Sequence, residues 1–172
     1  MNLLSNDFEI FGIAPAFELD RDALDQRWKD LQREAHPDRF ATSDASAQRL
    51  AMQWSVRINE AYQRLKDPLK RAAYLCELNG VPLQAENNTA MPAAFLMQQM
   101  QWREDLEEAD NADALERMAD EVAAARSEKL QALQHTADEQ RDFTALAQQV
   151  RALMFVERFA RDVENRLDQL GQ

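Results

Sequence analysis

The chain has 172 residues, enough for two small domains or one of medium size. Three glycines and five prolines, beside abundant Ala, Leu, Gln, Glu and Arg, predict an almost entirely helical protein. The net charge of −11 is uneven, because residues 1–80 carry 11 basic and 13 acidic side chains and residues 81–172 carry 9 and 18. An acidic second half argues against nucleic acid or anionic membrane as a partner and favours a protein with basic patches.

Residues that could build a metal or cofactor site are scarce. The single cysteine, Cys76, excludes a disulfide framework within the chain, and with His36 and His135 it is too few for a His/Cys zinc or iron–sulfur site. We therefore expect no metal and no cofactor. The first basic residue is Arg21, and nothing approaches eighteen uninterrupted apolar residues, so neither a signal peptide nor a membrane span is expected. These features predict a reducing, cytoplasmic compartment.

Four helical patterns fill the first 80 residues. They lie at about residues 5–13, 20–35, 43–66 and 68–78. Asn6 or Asp7 can cap the first helix, Asp20 can cap the second, and Pro68 can start the last. The long second and third helices would pack antiparallel, so residues 1–78 are predicted to form a first domain.

A short motif, His36-Pro37-Asp38, separates the two long helices. Pro37 has no N–H to donate and disfavours helical backbone at His36, so the second helix must end there. The motif therefore occupies an exposed corner, with an imidazole and a carboxylate on either side of a rigid ring. Such a corner suits recognition of another protein's polar groups, and Asp38 offers an acceptor for a partner arginine.

Residues 79–91 contain Gly80, Pro82 and an Asn-Asn-Thr run without a helical stripe, and are predicted to form a linker. Three helical patterns follow, at about residues 92–109, 113–134 and 138–170. Short loops make neighbouring helices antiparallel, so residues 92–172 are predicted to form a three-helix bundle. The predicted fold class is all-α, with a helix pair followed by this bundle.

The first bundle helix has two apolar faces. Phe95, Trp102 and Leu106 share one direction at about 100° per residue and form a complete core stripe. Three more apolar side chains of this helix point away from that stripe: Leu96, Met97 and Met100. On the last helix, Phe155 likewise points away from the apolar stripe of its helix. They could form an exposed protein-binding patch rimmed by carboxylates. Alternatively, a wide stripe or packing against the first domain could bury them.

The motif and its flanking helices resemble a J-domain over the first 75 residues. The whole chain resembles the HscB-type J-domain co-chaperones of iron–sulfur cluster biogenesis. The run Phe-Leu-Met-Gln-Gln-Met-Gln-Trp-Arg-Glu at 95–104 is similar to that family's first bundle helix, and Val-Arg-Ala-Leu-Met-Phe at 150–155 is similar to the matching part of its last helix. The family's animal and plant mitochondrial members carry an N-terminal cysteine-pair metal module, and its absence here implies a bacterial form.

The resemblance implies two sets of binding residues. For a DnaK-class chaperone, HscA, it implies the motif and nearby basic residues: His36, Pro37, Asp38, Arg27, Lys29, Arg33 and Arg39. For the iron–sulfur scaffold protein IscU, it implies Leu96, Met97, Met100, Gln101, Glu104, Glu108 and Phe155. Gln101 stands where the family usually has an acidic residue.

The implied function is a co-chaperone that delivers IscU to HscA, stimulates the chaperone's ATPase and so assists cluster transfer and maturation of iron–sulfur proteins. Intrinsic catalysis is not expected, because His36 has no Ser or Cys in a nucleophile pattern and no glycine-rich phosphate loop is present. Two alternatives stay open. The bundle could serve another client, or the chain could be a passive helical scaffold in which the His-Pro-Asp corner is incidental.

Overall fold

The computed structural model of the protein describes residues 2–83 and 91–171. Within these residues the chain forms seven α-helices and no strand, which confirms the predicted all-α class. The helices are α1 (Asp7–Phe11), α2 (Arg21–Ala35), α3 (Ala45–Lys66), α4 (Pro68–Leu78), α5 (Ala93–Glu108), α6 (Ala112–Gln134) and α7 (Phe143–Leu170).

The chain divides into two compact units, Met1–Leu75 and Cys76–Gln172, so the division falls inside α4. The predicted linker, 79–91, falls largely outside the described residues, since 84–90 are not among them. The boundaries at 78 and 92 therefore stay predictions.

The first unit is organised by α2 and α3. The ring of Trp28 stacks on Tyr62 with centroids 4.5 Å apart, and the Tyr62 hydroxyl donates to Asp25 over 2.7 Å. Toward the other end of the pair, the Ser55 hydroxyl donates to the Gln32 side chain over 2.9 Å. Early residues of α2 thus meet late residues of α3, so the helices are antiparallel. The end of α2 and the start of α3 lie together, and residues 36–44 turn between them.

A buried carboxylate connects α1 to α3 and α4. Asp7 is fully buried and forms ion pairs with Arg57 at 2.8 Å and Arg64 at 2.9 Å, both on α3. Its backbone N–H donates to the hydroxyl of Tyr74 on α4 over 3.0 Å. Burial raises the pKa of Tyr74, so the phenol stays protonated. One acidic residue therefore connects three helices.

The second unit is a three-helix bundle. The Trp102 ring stacks on Phe159 with centroids 5.1 Å apart and donates its N–H to Glu121 over 3.2 Å, so all three helices meet at this indole. Lys129 lies 5.0 Å from the ring of Phe95. Because Phe95 lies near Lys129 and Trp102 lies near Glu121, α6 runs antiparallel to α5.

The last bundle helix begins later than predicted. Residues 135–137, which lie between the last two predicted helices, do not form the expected break, because the backbone continues from α6 into a π-helical turn, His135–Gln140. Arg141 then adopts a left-handed conformation (φ 51°), and Asp142 caps α7 by accepting from the N–H of Ala145 over 3.1 Å. The helix predicted from about 138 therefore starts at Phe143.

Candidate functional site: two protein-binding surfaces

The His-Pro-Asp corner is shaped by its own hydrogen bonds. His36 ends α2 in an extended conformation (ψ 130°), as a residue before proline should, and Pro37 starts a 3-10 turn, Pro37–Phe40. The N–H of Arg39 donates to the His36 carbonyl over 3.0 Å. The proline thus begins a new turn at an angle to α2, which presents both flanking side chains to solvent.

The imidazole of His36 has a defined orientation. Its Nδ1 accepts a hydrogen bond from the Asp38 N–H over 3.2 Å, so the neutral ring carries its proton on Nε2. The carboxylate of Asp38 is 92% exposed and lies 3.7 Å from the same Nδ1. The corner therefore offers an outward N–H donor and a free carboxylate acceptor, separated by a rigid ring.

The basic residues predicted beside the corner do not share one face of α2. At about 100° per residue, Lys29 and Arg33 lie on one side, whereas Arg27 lies about 120° from Arg33. Lys29 and Arg33 are exposed, but Arg27 is half-buried. Arg33 also pairs with Asp30 one turn earlier. Lys29 and Arg33 therefore lie together on α2, apart from Arg27. The carboxylate of Asp30 partly neutralises the charge of Arg33.

The spare apolar residues of the bundle are exposed. Leu96, Met97, Met100 and Phe155 expose 46, 70, 65 and 43% of their surface. The core stripe of α5 is buried, and it consists of Phe95, Trp102 and Leu106. The core is therefore complete without the four exposed side chains. Within the described residues, the alternative that these side chains are buried is wrong. We call the four residues the apolar patch.

The apolar patch spans two helices. Arg103 on α5 pairs with Asp162 on α7 at 2.5 Å, which shows which side of α5 faces α7. Leu96 and Met100 lie within about 60° of Arg103 around the helix axis, so they also face the α5–α7 seam. Phe155 lies across that seam, edge to face against Phe95 at 6.3 Å. Three of the four members therefore line one groove.

The remaining predicted residues form the outer edge of the apolar patch. Gln101, Glu104 and Glu108 are exposed and fall with Met97 on one stripe of α5, directed away from α7. The amide of Gln101 donates to Asp105 one turn later over 2.9 Å. The outer edge thus presents two carboxylates and an amide that is already engaged within the helix.

Sequence patterns miss one exposed residue beside the patch. Met154 is 37% exposed, although it lies only about 40° around α7 from the buried Val150. Residues 76–83 cover the first turns of α7: Arg151 donates to the Leu83 carbonyl over 2.7 Å, and the Cys76 thiol lies 3.8 Å from the Phe143 carbonyl. Because these are tertiary contacts, helical periodicity could not have predicted which residues of α7 they leave exposed.

Comparisons with known proteins identify the family of the chain. Residues 91–164 match the family model described as the HSCB C-terminal oligomerisation domain. Over 157 residues the chain is 48% identical to a co-chaperone protein HscB homolog of Bordetella petrii, covering 91% of this chain and 92% of that protein. The chain belongs to the HscB co-chaperone family. The homolog of Ralstonia nicotianae is likewise 48% identical over 166 residues, covering 95% and 94%.

Solved HscB structures share the fold. Chaperone HscB from Vibrio cholerae superposes with a TM-score of 0.83 at 39% identity, covering 96% of this chain and 99% of that one. Human co-chaperone protein HscB gives a TM-score of 0.89 at 25% identity, covering 96% and 84%. The all-α fold is thus an N-terminal J-domain followed by a C-terminal three-helix bundle, as predicted, and the protein is a co-chaperone of the iron–sulfur assembly type.

Residues 2–83 and 91–171 contain neither a metal-binding cluster nor a membrane-spanning helix. No group of three or more His, Cys, Asp or Glu side chains in that part of the chain could hold a metal ion. No helix there is both long and apolar enough to cross a membrane.

Proposed function

We propose that this HscB-family protein is an adaptor with two binding surfaces. Its bundle binds the iron–sulfur scaffold protein IscU, and its J-domain stimulates the ATPase of the DnaK-class chaperone HscA. The observation that carries the proposal is the exposure of the apolar patch on a bundle whose core is already complete. An exposed apolar cluster of this kind is a liability unless a partner covers it.

The apolar patch has the composition expected of a surface that binds and releases a protein. Two of its members are methionines, whose flexible thioether side chains adapt to a partner's contour. The exposed carboxylates of Glu104 and Glu108 border it and would discourage non-specific association. We infer that the whole predicted set, including Gln101, contacts IscU, with Leu96, Met100 and Phe155 as the anchors in the groove.

The His-Pro-Asp corner supplies the chaperone contact in this proposal. Pro37 and the hydrogen bond between Asp38 and His36 hold the corner rigid before binding, so little conformational entropy is lost on docking. Asp38 would accept from a cation on HscA, and Lys29, Arg33 and Arg39 would meet acidic groups of the chaperone. Arg27 would contribute least, because it is half-buried on another face.

Stimulated ATP hydrolysis makes the chaperone close on the delivered scaffold, and cluster transfer to acceptor proteins follows. The adaptor needs no catalytic group, metal or cofactor of its own for this role. It would act in the cytoplasm of a bacterium.

The test is single-turnover ATP hydrolysis by purified HscA, measured with the full chain present or absent and with IscU present or absent. We expect acceleration by the chain and further acceleration when IscU is added. Asp38→Ala should abolish the acceleration while leaving the thermal unfolding midpoint unchanged, because the carboxylate is almost fully exposed. Asp168→Ala, at an exposed carboxylate in the last turn of α7, is the matched control and should behave as the parent chain.

Two results would contradict the proposal. Acceleration that Asp38→Ala leaves unchanged would show that the corner is incidental. If adding IscU does not increase the acceleration of ATP hydrolysis, the bundle serves a different client.

A further inference from the structure

The α7 edge of the apolar patch carries a cation that the structure leaves available. Arg158 follows Phe155 by three residues and Met154 by four, so it lies beside both on the helix surface. It is exposed, and its guanidinium carbon lies 5.9 Å from the centroid of the Phe155 ring. Within residues 2–83 and 91–171, no hydrogen bond or ion pair engages this guanidinium.

Two other arginines near the seam between α5 and α7 are engaged. Arg103, across the seam, pairs with Asp162 at 2.5 Å, and Arg166 donates to the Ala109 carbonyl over 3.1 Å. Asp162 is one turn beyond Arg158 and would be its natural partner on the same helix, but it is occupied by Arg103. Among the described residues, Arg158 is thus a positive charge without an ion-pair partner, directly beside an exposed aromatic ring.

The opposite edge of the apolar patch has the opposite sign. Glu104 and Glu108 are exposed on the stripe of α5 that points away from α7, next to Met97. The apolar groove therefore lies between an anionic edge on α5 and a cationic edge on α7. Such an arrangement is not symmetric: a partner that fits it one way meets like charges at both edges if it is turned around.

We propose that Arg158 binds a carboxylate side chain of the scaffold protein and thereby fixes the orientation in which the scaffold occupies the apolar patch. The inference rests on the proposed function, since it concerns the same surface and partner. An arginine suits this task because its planar guanidinium can meet a carboxylate through two parallel hydrogen bonds while its other face stays on the Phe155 ring. The partner chemistry is an apolar ridge with an acidic group on its α7 side and basic groups on its α5 side.

The experiment measures the affinity of the full chain for purified IscU by titration calorimetry at 50 mM and 300 mM salt. Arg158→Glu should weaken binding about tenfold at low salt, Arg158→Met about threefold, and Arg158→Lys least. The gap between the parent chain and Arg158→Glu should narrow at high salt, because ions screen an exposed pair. The methionine variant keeps the apolar stem over Phe155, so its loss reports the charge rather than the packing.

The matched control is Arg161→Glu. It makes the same change of charge on the same helix, but Arg161 borders the groove between α6 and α7 together with Ala123 and Glu164. It should stay within about twofold of the parent chain. A single Asp→Lys or Glu→Lys substitution on IscU that restores binding to Arg158→Glu and weakens binding to the parent chain would locate the carboxylate.

The outcomes separate this inference from the proposed function. If the parent chain binds IscU and Met97→Ala with Met100→Ala weakens binding, the proposed function stands. If in that same series Arg158→Glu matches Arg161→Glu, or Arg158→Met matches the parent chain, the orientation inference is wrong. If the parent chain does not bind IscU at all, both fail together.

Discussion

The ring of Phe155 stands edge to face against the ring of Phe95, with centroids 6.3 Å apart. Phe95 is buried in the bundle core, whereas Phe155 keeps 43% of its surface exposed. One aromatic side chain therefore belongs both to the packing of the bundle and to the apolar patch. A substitution there changes stability and binding together, whereas the exposed methionines allow the two effects to be separated.

For Phe155, we expect Phe155→Ala to lower the free energy of unfolding by about 1 kcal/mol, since it removes the apolar contact that the half-buried side chain makes with Phe95. It should also weaken IscU binding at least tenfold. Phe155→Leu should restore most of the stability and only part of the affinity. Urea unfolding and calorimetric titration check the two effects, and equal rescue of both would mean that the ring has no role beyond packing.

For the exposed methionines, we expect Met97→Ala with Met100→Ala to weaken IscU binding at least tenfold with a stability change within about 0.5 kcal/mol. Both side chains are mostly in solvent, and alanine is at least as good a helix former as methionine. Met52→Ala is the matched control, because Met52 is an exposed helical methionine of the first unit. An unchanged affinity in the double variant would exclude the apolar patch as the IscU site.

For the basic residues of α2, we expect Lys29→Glu to raise the concentration of this protein needed for half-maximal HscA stimulation by about tenfold. Arg27→Glu makes the same charge change on a different face and should have a smaller effect. The difference between the two variants should shrink at high salt. Equal effects would show that the chaperone contacts a wider part of α2 than one face.

Much of this architecture could be predicted from sequence because it depends on local rules. Asp20 and Pro68 mark helix starts, and the proline of the corner ends α2, wherever the rest of the chain lies. The exposure of Leu96 could not be predicted from local rules alone. Periodicity indicates that its side chain points away from Phe95, but only the tertiary structure shows that nothing in the described residues covers it. The ion pair that occupies Asp162 joins residues 59 positions apart and has no signal in the local pattern. It leaves Arg158 without a partner in the part of the chain that the structure describes.

For the buried carboxylate, we expect Asp7→Asn to lower the free energy of unfolding of the first unit by about 3 kcal/mol, because it leaves Arg57 and Arg64 without their shared anion. Asp22→Asn, at an exposed position in the first turn of α2, should cost about 0.5 kcal/mol or less. Hydrogen exchange should show the loss of protection confined to residues 2–75. A loss spread evenly over both units would mean that they unfold as one.

For the free cysteine, we expect stability to fall as the solution becomes alkaline. Burial raises the pKa of Cys76 from 9.0 to about 11, so between these values the unfolded chain loses the thiol proton while the folded chain keeps it. A group whose folded pKa is raised contributes its full stability below its unfolded pKa and loses it as pH rises toward its folded pKa. The parent chain should therefore lose about 1 kcal/mol per pH unit between 9 and 11 relative to Cys76→Ala.

Comparing slopes rather than absolute stabilities removes the cost of the cavity that Cys76→Ala creates and the titration of lysines and tyrosines, which both chains share. Native-state alkylation by iodoacetamide at pH 8 provides an independent check. It should be slow in buffer and fast in urea, because a protonated and buried thiol is a poor nucleophile. Fast alkylation of the folded chain would show that the α4 end of the second unit opens readily, and the expected slope difference should then disappear as well.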